Sequence, residues 1–211
     1  MPAVPAKKTA RKHVRDSAPR AWQRMLSGRR LDLLDPHAID IEIDDIALGL
    51  SRVARWNGQT LGEHGFSVAQ HSLIVEDICG HIDANITVPH RLMALLHDAP
   101  EYVIGDMISP FKAALGLDYK RFEAQLEQAI HVRFGLPALM PAAVKKLIKQ
   151  ADHACAYFEA TQLAGFNDAE ARQYFGEPPE GYVLRLESLP SRAASEAFVA
   201  RFDTLIRQMK A

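Results

Sequence analysis

LLHDAPEYVIGD, residues 95–106, sets His97 and Asp98 directly behind two leucines and follows them with Glu101. The leucines read as the last part of a buried helix that Pro89 opens and Pro100 ends or kinks, which leaves Glu101 near a helix end. Polar groups in such surroundings cost about 1–3 kcal/mol each unless something satisfies them, and charges cost more. The neighbouring segments therefore have to supply a partner.

Upstream, FSVAQHSLIVEDICGHI (66–82) predicts a helix whose seam is Val68, His71, Val75, Ile78 and Ile82, so His71 sits where an apolar residue belongs. Downstream, PAAVKKLIKQADHACAYFEATQLAGF (141–166) predicts a long helix with proline at its start and Gly165 at its end. It carries Asp152 among Leu147, Ile148, Ala151, Cys155 and Ala156. A lone core histidine is more often a hydrogen-bonded packing residue than a ligand, and a lone aspartate is usually a cap or a solvated face. Three segments that each bury such a group are a different matter. Adjacent helical side chains diverge by about 100°, so His97 and Asp98 share an ion only if it lies over the seam between them. Two imidazoles and two carboxylates form a mixed N/O set. That set suits Mn, Fe, Co, Ni or Zn, admits Mg, and excludes a soft thiolate site.

The remaining chain predicts an all-α, single-domain helical bundle. Residues 21–36, AWQRMLSGRRLDLLDP, read as a small β-hairpin around Ser27-Gly28, with a short helix as the alternative. A helix starts at Asp44 or Asp45, either of which can cap it, and carries Ile46, Leu50 and Val53. Residues 56–65 form a Gly-rich loop, and residues 109–116 a short turn or helix. An amphipathic helix runs from Asp118 to a stop at Gly135, a Gly-, Pro- and Glu-rich loop covers 176–181, and residues 188–210 close the chain as a helix. His81, His90 and His131 read as surface or rim residues, and His64 and His153 lie outside the metal shell.

Composition fits one ordinary globular core: 211 residues, 48% hydrophobic and 24% charged. A net charge of −1 gives no field directed at nucleic acid or membrane, and no apolar run is long enough to span a bilayer. Only residues 1–20 are biased; basic and rich in Pro and Ala, they read as a disordered tail rather than a targeting peptide, since no apolar face repeats there. Two cysteines in apolar helical surroundings, Cys79 and Cys155, fit a reduced, cytoplasmic protein.

The order of His71, then His97-Asp98, then Asp152 resembles the HD-domain phosphohydrolases, all-α proteins whose metal is held by such a series. Within that superfamily the chain looks most like the 5′-deoxynucleotidase branch over roughly residues 44–165. The resemblance implies a divalent metal (Mn, Co, Fe, Ni, Zn or Mg) on His71, His97, Asp98 and Asp152, with Glu101 in HDAPE as the catalytic acid or base. ARWNG supplies Arg55 and Trp56 in the place of the branch's Arg-Trp substrate pair, and GDMISPFK supplies Asp106 and Lys112. On spacing alone, Arg55 and Trp56 read equally well as a helix-end cation beside a core aromatic. The residue before the first histidine is Gln70, where Glu is common. The branch implies a homodimer.

The chemistry implied is removal of the 5′-phosphate from (deoxy)nucleoside monophosphates, a small-molecule reaction with no nucleic-acid or membrane partner. An arginine fork suits a phosphate because it donates two parallel hydrogen bonds. A close alternative releases triphosphate from deoxynucleoside triphosphates and needs further cations, for which Lys112, Lys120 and Arg121 are at hand. A non-catalytic nucleotide-binding regulatory module is the alternative of another class. It would be favoured by loss of a ligand or of Glu101, all of which are present.

Overall fold

A computed structural model describes residues 21–106 and 117–211. The candidate tail 1–20, the expected turn at 109–116 and Lys112 lie outside the described residues.

The helical class is borne out, with eight α-helices and one small sheet among the described residues. Strands β1 (Trp22–Arg24) and β2 (Arg30–Asp32) pair antiparallel, Gln23 opposite Leu31, so the hairpin forms and the short-helix alternative falls. The helices are α1 (Ile43–Leu50), α2 (Val68–Ile82), α3 (Val88–Leu95), α4 (Glu101–Ile104), α5 (Leu117–Arg133), α6 (Ala142–Gln162), α7 (Asp168–Phe175) and α8 (Ser191–Met209). Helix α2 is central: it packs on α3, α6 and α8, while α1 packs on α4 and α8. The main core runs from Met25 and Leu31 of the hairpin through Leu95 and Leu96 to Phe198 and Leu205 of α8, and a smaller cluster of Tyr157, Phe158, Ala160 and Ala171 packs against Trp56. No helix among the described residues is long and apolar enough to cross a membrane.

Several local expectations need correction. Helix α1 begins at Ile43 after Glu42, and neither Asp44 nor Asp45 caps it. Asp45 is buried and instead accepts from the backbone N–H of Ser27 at 3.0 Å and from the Ser27 hydroxyl, which ties the hairpin turn to α1. His131 is fully buried, not a rim residue, and burial pushes its basicity down. The last helix starts at Ser191 rather than 188, immediately after Pro190. Helix α7 has no counterpart in the periodicity. Its signal is local: Asn167 and Glu170 form a reciprocal capping box.

The most consequential difference lies in the opening stretch. Helix α3 ends at Leu95, five residues before Pro100. Proline has no N–H to give the Leu96 carbonyl, and that carbonyl takes the N–H of Ala99 at 2.9 Å instead. His97 N–H to Ala94 O and Glu101 N–H to Asp98 O continue the same tightened i to i+3 pattern. His97 and Asp98 thus occupy a run of turns between α3 and α4, and the 100° divergence of neighbouring helical side chains does not constrain them.

Candidate active site

His71 is fully buried in the first turn of α2, which Ser67 opens by accepting the N–H of Gln70. Its Nδ1 lies 2.6 Å from Glu159 Oε1 of α6. His97 Nδ1 lies 2.8 Å from the carbonyl oxygen of Ala94. A carboxylate and a carbonyl only accept, so each ring carries its proton on Nδ1 and, when neutral, presents a lone pair on Nε2.

Both lone pairs point at carboxylates. His71 Nε2 lies 3.2 Å from Asp152 Oδ1 and 3.5 Å from Asp98 Oδ2, and His97 Nε2 lies 3.3 Å from Asp98 Oδ2. Neither Nε2 has a hydrogen-bond partner, although both are buried. The ligand atoms of His71, His97 and Asp152 lie within 4.8 Å of one another. Acceptors facing acceptors repel unless positive charge sits between them, so this donor set fits a divalent cation. The electrostatics agree. Burial and Arg55 oppose a second proton on His71, yet its acidic neighbours, Cys155 first and then Glu159 and Asp152, outweigh them and raise its basicity. Burial raises the carboxyls of Asp98 and Asp152, but positive charge at the neighbouring histidines lowers both, the response expected of a pocket built for a cation.

Arg55 and Trp56 sit on the far side of His71. Arg55 Nε lies 3.2 Å from Glu159 Oε2, and Nη1 lies 3.4 Å from Asp106 Oδ2. Burial disfavours its charge, but Glu159, Asp98, Asp106 and Asp152 more than compensate, and the guanidinium stays charged at any working pH. Trp56 donates its indole N–H to Glu159 Oε2 at 2.7 Å and packs against Phe166 and Phe175, with ring centroids 5.6 and 5.7 Å apart. Its backbone is left-handed (φ 56°), as is that of Asn57 (φ 50°). A bulky residue in that region is strained, and here its indole N–H is held by the buried carboxylate behind His71.

Glu101 is buried at the start of α4. It lines a cavity of about 450 Å³ with His97, Asp98, Lys120, Glu123, Glu127 and Lys145. Gly49 of α1 fixes the height of α4. A methyl group at Gly49 would meet Tyr102 Cβ at 2.7 Å and the Tyr102 carbonyl oxygen at 2.9 Å, so only glycine lets the residue after Glu101 come this close.

The structure thus brings together His71, His97, Asp98 and Asp152, sets Glu101 beside them, and joins Arg55 to Asp106. Sequence reasoning missed Glu159. It is fully buried and falls seven residues after Asp152 and four after Cys155, on the same face of α6. That spacing was its only signal. Gln70 also acquires a reason. Its amide donates to the carbonyl of Glu187 at 2.8 Å and accepts from the N–H of Leu189 at 3.0 Å, a dual role that a glutamate could not fill.

A family model described as 5′-deoxynucleotidase YfbR-like matches residues 48–202, a span that contains every residue of this constellation. The chain belongs to this family. The family is of the HD-domain type, which places the chain among phosphohydrolases. An uncharacterized protein of Rhodobacter capsulatus is 55% identical over 194 residues, covering 90% of this chain and 98% of its own length. The uncharacterized protein YfdR of Escherichia coli K12 is 37% identical over 108 residues, covering 50% of this chain and 54% of YfdR.

Proposed function

We propose that the protein is a divalent-metal-dependent phosphomonoesterase that removes the 5′-phosphate from (deoxy)nucleoside monophosphates. The observation that carries the reading is the convergence of two buried, unpartnered imidazole Nε2 atoms on the carboxylates of Asp98 and Asp152. His71, His97, Asp98 and Asp152 would hold the cation. Bound there, it would supply acidification of water and neutralisation of phosphoryl charge.

The protein's own groups account for the rest. Glu101 accepts a proton from the attacking water as its oxygen bonds to phosphorus. It returns that proton to the 5′-oxygen as the P–O bond breaks, so the products are a nucleoside and phosphate. Arg55, kept charged by the carboxylates around it, offers its guanidinium to the phosphate. Asp106 would accept from a sugar hydroxyl, and Trp56 would form a face against which the sugar or base packs. Lys112 keeps only the role that the resemblance implies.

Release of triphosphate from deoxynucleoside triphosphates is a second reading, favoured by Lys120 and Lys145 on the cavity beside Glu101. Glu123 and Glu127 on the same wall oppose them, which favours a substrate with a single phosphate. The test is a product-resolved screen of nucleoside mono- and triphosphates with Mn²⁺, Co²⁺, Zn²⁺ or Mg²⁺. Inorganic phosphate from monophosphates, abolished by a chelator and restored by metal, is the expected result. Triphosphate as product would select the second reading, and full hydrolysis by protein shown to be metal-free would end both.

A further inference from the structure

Glu159 joins two parts of the site that belong to different segments of the chain. Its Oε1 accepts from His71 Nδ1 at 2.6 Å and from the Cys155 thiol at 3.3 Å. Its Oε2 accepts from Trp56 Nε1 at 2.7 Å and from Arg55 Nε at 3.2 Å. Four donors therefore converge on one fully buried carboxylate. Buried carboxylates at this depth persist only when fully hydrogen-bonded, and this one is.

His71, Cys155 and Glu159 also lie close enough together to hold an ion of their own. The hydrogen bonds argue against that use. Both oxygens of Glu159 are already engaged by N–H or S–H donors, and the Cys155 thiol is one of those donors. An imidazole has its two nitrogens on different edges. Glu159 occupies the Nδ1 edge of His71, and Asp98 and Asp152 face the Nε2 edge.

We propose that Glu159 is a positioning residue: it fixes His71 in the Nδ1–H form with Nε2 aimed at the metal and, through its other oxygen, clamps the strained Arg55–Trp56 turn against the same centre. This rests on the metal-dependent reading above. An acceptor behind a ligating histidine sets its tautomer and ring orientation, and its loss lowers metal affinity about 10–100-fold. The second oxygen makes the arrangement more than a histidine brace. The left-handed backbone at Trp56 and Asn57 is held, across about a hundred residues of chain, by the carboxylate that orients the metal ligand. Metal pocket and substrate wall then form one rigid unit.

The chemistry of the side chain provides the test. Glutamine at this position has one acceptor oxygen and one donor NH₂, so it can serve His71 or the Arg55–Trp56 pair but not both. Leucine serves neither. Mn²⁺ affinity of the metal-stripped full chain is measured by calorimetry, and the indole N–H resonances of Trp22 and Trp56 are recorded on the same metal-free samples, with folding checked by circular dichroism. Glu159→Leu is expected to weaken Mn²⁺ binding about 10–100-fold and to move the Trp56 indole signal away from its strongly hydrogen-bonded position. Glu159→Gln should lose one of the two effects in full and keep most of the other. If Glu159→Leu does not fold, the glutamine variant decides alone. Wild-type Mn²⁺ affinity together with an unmoved Trp56 resonance in the folded variant overturns the inference while leaving the metal-dependent reading intact. A wild-type protein that binds none of Mn²⁺, Co²⁺, Zn²⁺ or Mg²⁺ overturns both.

Discussion

Helix α2 buries ionic groups at two points little more than one turn apart, and they are solved in opposite ways. At Glu76 the carboxylate is enclosed by two guanidiniums: Arg91 Nε of α3 lies 2.5 Å from Oε1, and Arg201 of α8 reaches Oε2 at 2.7 Å and Oε1 at 2.8 Å. Positive charge exceeds negative, every oxygen has a donor, and the cluster pins α3 and α8 to α2. At His71 the balance is reversed. One guanidinium, Arg55, faces Asp98, Asp106, Asp152 and Glu159, and two imidazole lone pairs point into the same space. Burial is similar at both points, so burial by itself does not mark the functional one. The sign of the unmatched charge does: a structural cluster closes its own account, whereas a metal centre keeps acceptors pointed at a space that only a cation can fill.

This contrast can be broken most severely at the ligands. Asp98→Ala should abolish both bound metal, measured by elemental analysis, and nucleotide hydrolysis. Glu101→Ala should keep the metal and still lose about 10²–10⁴-fold in turnover, the usual scale for general acid–base catalysis. Loss of metal from Glu101→Ala would make Glu101 a ligand. Retention of both metal and activity would move the proton to another group.

The Glu76 cluster should respond in the other currency. Glu76→Gln leaves two arginines facing a neutral amide and should lower stability by about 2–4 kcal/mol in denaturant unfolding, with metal content of the folded fraction unchanged. The lower end of the usual range for a broken buried pair is expected because the arginine side chains keep 27% and 29% of their surface in water. A variant that keeps its stability but loses its metal would show that the two points on α2 are not independent.

The smallest effect belongs to the surface clamp at Glu42, which provides the exposed reference for both. Arg29 and Arg133 hydrogen-bond its carboxylate and hold it below its ordinary 4.5. A carboxyl lowered in the folded state adds stability above its unfolded pKa and loses it as pH falls through the lower folded value. Glu42→Gln should therefore reduce stability by less than about 1 kcal/mol at pH 7, and the difference from wild type should shrink as pH falls below 4.5 and vanish once the folded-state carboxyl is protonated. A difference that persists in acid would mean that packing, not charge, is at work there.

How far the molecule could be read beforehand follows from the range of each signal. Helix α2 was legible because Val68, His71, Val75 and Ile78 recur at helical spacing and are all buried. Helix α6 was legible because Pro141 and Gly165 bracket it, the latter with φ of 79°. The four metal-capable residues stood out as polar side chains on apolar faces, and their order along the chain was enough to group them. Helix α7 was missed because its start is written in a four-residue capping box rather than in periodicity. His131 was misplaced because nothing in its own helix indicates that the turn at 137–138 closes over it.

What the amino-acid sequence determined by itself was therefore local: which stretches are helical, which faces are apolar, and which residues break the pattern. The tertiary structure alone decided how the broken places meet. Pro100, a local signal, put His97 and Asp98 in turns, but only the tertiary structure brought them up to His71 and Asp152. It also gave Glu159 its four donors, from residues up to 104 positions away. Periodicity reports that a face is buried, since burial follows the repeat of one helix. It carries no record of which polar atoms on other helices arrive within 3 Å, because that depends on crossing angles and on contacts as close as Gly49 against Tyr102.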